Sequence, residues 1–135
     1  MTMVALLLLV GASSCPAQDL APLAEAPRGA SSVGYETVDE ALTAMKAQPG
    51  VTVTVTKPDG WIIVNEEAPG LSVWSFAPPG HYAYPAVVRR TVRQADGRVY
   101  VVTTALCQAD KLSCDRLMRQ FQQLTEKARP RQGQQ

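Results

Sequence analysis

The chain has 135 residues, 13 Lys and Arg against 12 Asp and Glu, and a formal net charge of +1. That length holds one domain, and the balanced charge argues against bulk electrostatic binding to nucleic acid. A single histidine excludes a multi-histidine metal site, and no cofactor motif is present.

No charged side chain occurs before Asp19, and Met3-Val4-Ala5-Leu6-Leu7-Leu8-Leu9-Val10 runs into Gly11-Ala12-Ser13-Ser14-Cys15. An apolar run this short does not span a bilayer but fits the core of a secretory signal, expected over residues 1–17. Met1-Thr2-Met3 lacks the usual basic start, which we read as a start placed too far downstream. The competing expectation is a cytosolic protein whose N-terminus is a buried strand or helix. Residues 18–34 are rich in Ala, Pro, Ser and Gly and predict a poorly ordered linker.

The domain is expected over 35–129. Thr37-Val38-Asp39-Glu40 reads as a capping box. Val38, Ala41, Leu42 and Met45 follow at helical spacing until Pro49-Gly50. Val51 to Thr56 alternates strictly, predicting a half-buried strand, and Lys57-Pro58-Asp59-Gly60 turns the chain into Trp61-Ile62-Ile63-Val64, apolar on both sides and so central. A third strand is predicted from Leu71 to Phe76. Glu66-Glu67 and Asp39-Glu40 read as solvated pairs.

After the irregular stretch Ala77 to Pro85, strands Ala86–Gln94 and Val99–Cys107 flank Asp96-Gly97, a strong hairpin signal. A last helix from Asp110 or Ser113 is expected to bury Cys114, Leu117, Met118, Phe121 and Leu124. Pro130 stops it, and residues 130–135 form a polar tail. The fold class is therefore α+β, an antiparallel meander of about five strands with an N-terminal and a C-terminal helix on one face.

Three cysteines resolve into a pair. Cys15 either leaves with the signal or becomes an acylated first residue, so Cys107 and Cys114 are expected to join in an oxidising compartment. Within one continuous helix their Cα atoms would lie about 10 Å apart, beyond disulfide reach, so the chain must turn between them. Two buried free thiols are the alternative.

Candidate binding residues gather in the middle of the chain. Six of the eight Phe, Trp and Tyr residues lie between Trp61 and Tyr100, and Trp74, Phe76, Tyr82 and Tyr84 bracket the loop that carries His81. Trp74 and Phe76 share a face, which forms a contact patch if it points away from the helices and core if it points inward. Arg89 and Arg93 also share a face, read either as a charged sheet surface or as a local basic patch. No nucleophile elbow or metal-spaced cluster appears, so no catalytic or metal-binding residue is assigned.

Gly34-Tyr35-Glu36-Thr37-Val38, Trp74-Ser75-Phe76, Gly80-His81-Tyr82-Ala83-Tyr84-Pro85 and the Leu106-Cys107 to Cys114-Asp115 stretch carry a resemblance. From Tyr35 to about Arg129 the chain resembles small exported proteins of Gram-negative bacteria, a group with no established activity. Some of these are labelled DnaJ-type molecular chaperones. The His-Pro-Asp motif of a J domain is absent, since Tyr82 follows His81 among strands, so Hsp70 stimulation is not expected. Ala12-Ser13-Ser14-Cys15 resembles a lipobox, with Ala in place of the usual Leu and Pro16 directly after. Soluble release after Ala17 is the expectation and lipidation of Cys15 the alternative.

The expected function is a non-enzymatic periplasmic or envelope module that binds an unknown protein or envelope component, touching membrane only if lipidated at Cys15. The alternatives are a small hydrolase or isomerase using His81, and a structural lipoprotein or weak holdase.

Overall fold

The structure is a computed structural model and describes residues 32–128 apart from Pro69. The expected signal segment, Cys15, most of the linker and the C-terminal tail lie outside the described residues.

Helix α1 (Val38–Ala47) is followed by strands β1 (Thr52–Val55), β2 (Ile62–Glu66), β3 (Ser72–Phe76), β4 (Ala86–Ala95) and β5 (Arg98–Cys107), then helix α2 (Lys111–Ala128). The five strands form one antiparallel sheet in the order β1-β2-β3-β4-β5, the expected meander. Each strand pairs with the one before it, the order expected when consecutive strands are joined without a crossover. Asp96 and Gly97 both take positive φ, 52° and 72°, which lets a two-residue turn follow the strand twist.

Local chemistry starts and stops the helices. Thr37 Oγ1 accepts the Glu40 N–H at 3.1 Å, while the Glu40 carboxylate takes the Glu36 N–H, also at 3.1 Å. Asp110 caps α2, accepting the Ser113 N–H at 2.9 Å and the Ser113 hydroxyl at 2.7 Å. These bonds hold the Asp110 carboxyl below its usual pKa, the Ser113 hydroxyl first.

The two helices lie on opposite faces of the sheet, not on one. Register places Val64, Trp74 and Arg89 in one cross-strand row and Ile62, Phe76, Val87 and Leu106 in the next, all on the same face. Val38, Ala41 and Met45 of α1 pack there. Val88, Ala105 and Cys107 point the other way and meet Leu117 and Phe121 of α2. The physical reason is that β3 and β4 are apolar on both sides, Trp74 and Phe76 alternating with Val73 and Ser75, and Val87 with Ala86 and Val88. Each face needs its own cover. Burying a Phe, Met or Leu here contributes about 2–3 kcal/mol each.

Three finer expectations are corrected. Val53 and Val55 are exposed at 42% and 56%, because α1 covers the rows from β2 inward and leaves edge strand β1 open. Leu124 is half exposed rather than buried, since Thr125 continues the sheet-facing row after Leu117 and Phe121. Glu66 is buried rather than solvated.

Candidate functional site

The first cluster to resolve is the Trp74 and Phe76 face. Both side chains are 2% exposed, with their rings stacked 6.4 Å apart. They belong to the core under α1 and present no contact area, so their reading as binding residues is withdrawn. Around Trp74, the Glu66 carboxylate accepts three donors. Trp74 Nε1 and Gln48 Nε2 each reach it at 3.0 Å and Arg89 Nη2 at 3.4 Å. The Arg89 guanidinium also lies 4.7 Å over the Trp74 ring. Three donors offset the cost of burying this carboxylate. Arg93 does share the face of Arg89 and is exposed. Arg89 is committed to Glu66 and Trp74, so the two do not form a free basic patch.

The loop from Ala77 to Pro85 behaves differently. Its ends are tied, Ala77 N–H to Ala86 O at 2.9 Å and Gln108 N–H to Pro85 O at 2.9 Å. Inside it, His81 N–H donates to Pro78 O at 3.1 Å and Tyr84 N–H to His81 O at 2.9 Å. Ala83 is fully buried and anchors the loop under α2. Two tight turns thus replace open coil, and the backbone between them is held in place.

The side chains of this loop form an aromatic cluster at the margin of the α2 face, its rings meeting edge to face or tilted. His81 lies 4.9 Å from the Trp61 ring and 4.2 Å from Tyr82. Trp61 extends the cluster to Phe121, edge to face at 5.9 Å. Arg116 of α2 sits 4.4 Å over Tyr82, and the Tyr82 hydroxyl donates to Gln120 Oε1. Tyr84 is 44% exposed. The structure therefore brings His81, Tyr82 and Tyr84 into one loop surface and sets Trp74, Phe76, Arg89 and Arg93 on the opposite face of the sheet.

His81 Nδ1 accepts the Ala83 N–H at 3.2 Å. In the neutral ring this puts the proton on Nε2. Partial burial, then the Arg116 charge, lowers the His81 pKa below 6.5 and keeps the ring neutral at pH 7. With Nδ1 accepting a backbone N–H, the ring presents its Nε2–H outward as a hydrogen-bond donor.

Trp61, Arg116 and Gln120 are the surface residues that sequence reasoning missed. Arg116 lies two residues past Cys114, the cysteine that bonds to Cys107. Cys107 and Cys114 form a disulfide with Cα atoms 5.8 Å apart, tying the end of β5 to the first turn of α2. A signal was available, since that bond must bring residues two to six positions past Cys114 close to the loop.

Among the described residues, no three His, Cys, Asp or Glu side chains are gathered to hold a metal ion, and no helix is long and apolar enough to cross a membrane. Compared with known protein families, curated proteins and solved structures, the chain matches none.

Proposed function

We propose that this chain is a non-catalytic module that works in the periplasm or envelope, binding a protein or envelope component through the 77–85 loop. The observation that carries this reading is the exposed Tyr84 beside the His81–Tyr82–Arg116 cluster, on a loop hydrogen-bonded at both ends. Tyr and Arg side chains at a surface have the composition of a binding hot spot, and for Tyr82 and Arg116 part of the ordering entropy is already spent in the free protein. The disulfide supports an oxidising compartment, as does the apolar segment before Gly11.

The test is site-specific photo-crosslinking in living cells of the native host. A crosslinker at Tyr84 is expected to trap one adduct of defined mass, and Arg116→Ala is expected to weaken it. A crosslinker at exposed Lys57, on the turn between β1 and β2, serves as control. Equal adducts at both positions, or none at Tyr84, overturn the reading.

A further inference from the structure

The outer edge of β5 is a second surface, independent of the loop and whatever it binds. β5 is the last strand of the sheet, and among the described residues no strand pairs with its outer side. Its middle is apolar on both faces. Val99 is 68% exposed and Tyr100 45%, while Val101 and Val102 are 38% and 39% exposed. Natural edge strands are usually short, charged or covered, because a long apolar edge recruits another strand. β5 runs for ten residues and carries one charge, Arg98, at its end.

Alternation in the ladder shows which groups are free. Arg98 faces Ala95 across the two-residue turn, so Arg98, Tyr100, Val102 and Thr104 exchange hydrogen bonds with β4. Val99, Val101, Thr103 and Ala105 then turn their N–H and C=O groups outward. The Ser32 hydroxyl bears this out by donating to Ala105 O at 2.9 Å, and so closes the edge at that position. The open stretch is Val99 to Thr103, with Val101 at its centre.

We infer that this stretch pairs antiparallel with the same stretch of a second copy, forming a two-fold dimer with one continuous ten-stranded sheet. A two-fold centred on Val101 sets Val101 against itself, Val99 against Thr103, Tyr100 against Val102 and Arg98 against Thr104. All the outward-facing residues fall opposite one another, which supplies about six inter-chain hydrogen bonds. Tyr100 against Val102 is a favourable aromatic–β-branched pair, and no like charges are opposed. A self-complementary patch of this kind is what an isologous two-fold requires. Because such an axis stands perpendicular to the sheet, both α2 helices lie on one side. The grooves between each α2 and its hairpin, lined by Val73, Val92, Val99, Val101 and Thr125, then adjoin.

Sedimentation equilibrium of the chain purified from its host, over a wide concentration range, tests this. Wild type is expected at twice the chain mass. Val101→Pro removes only an outward N–H, so β4–β5 pairing survives and the dimer is lost. Val101→Lys sets two cations face to face on the axis and is expected to act likewise, which covers the case in which the proline variant fails to fold. A wild type that stays monomeric throughout overturns the inference, even if its edge captures an extended peptide of other origin. So does a dimer that a folded Val101→Pro or Val101→Lys variant leaves intact.

Discussion

Glu66 Oε2 accepts the indole N–H of Trp74 at 3.0 Å inside the α1 face of the sheet. The same oxygen draws in Arg89, and its partner oxygen takes the side-chain amide of Gln48 from the end of α1. One carboxylate therefore locks helix, strand β3 and strand β4 together. Glu66→Ala leaves an indole N–H and a guanidinium without their acceptor and is expected to cost about 3 kcal/mol. Glu66→Gln keeps an oxygen for Trp74 and is expected to cost less. Urea unfolding followed by tryptophan fluorescence measures both. Equal losses for the two variants would contradict the role given to the indole bond.

The Cys107–Cys114 bond closes a loop of seven residues' separation between β5 and α2. A loop this small corresponds to about 2–3 kcal/mol of stabilisation in the chain-entropy model. Paired Cys107→Ser and Cys114→Ser substitutions should lower the unfolding free energy by that amount. Because the bond holds α2 against the loop, Arg116 should also lose its place over Tyr82. Hydrogen exchange of the 77–85 amides is expected to quicken in the double variant more than exchange in β2.

The His81 pKa is lowered by partial burial first and by Arg116 second. Its folded value thus lies below the unfolded 6.5, and the unfolded chain binds the extra proton between the two. The His81 contribution is complete above pH 6.5 and is lost as pH falls through the folded value. Unfolding experiments from pH 7.5 down to pH 5 should show declining stability from this group, and His81→Gln should flatten that part of the curve. NMR titration of the ring reads the pKa directly, and Arg116→Ala should raise it.

Tyr84 and Phe76 separate surface from core. Tyr84→Ala, at an exposed side chain, is expected to change stability by less than about 0.5 kcal/mol. Phe76→Ala, 2% exposed, empties the core under α1 and is expected to cost about 3–5 kcal/mol. Thermal denaturation of the two variants side by side makes the comparison.

Most of the fold was legible because its signals are local. Thr37 and Asp110 sit where the helices begin, Asp96-Gly97 closes its hairpin, and the apolar Ile62-Ile63-Val64 run became an inner strand. The candidate site was legible only in part. His81, Tyr82 and Tyr84 could be grouped because they are neighbours in the chain. Trp61 and Arg116 reach the same cluster from the residue before β2 and from α2, whose relative orientation local pattern cannot give.

The sequence by itself determined the element order and the antiparallel meander, since both rest on short-range periodicity and turn chemistry, and it narrowed the cysteines to one expected pair that the structure joins. Only the tertiary structure decided which face each helix covers. That choice put Trp74 and Phe76 in the core, buried Glu66 with its donors and separated Arg89 from the loop. The reason is geometric. Alternation says which residues share a face of a sheet, but only packing of the helices decides which face meets which cover.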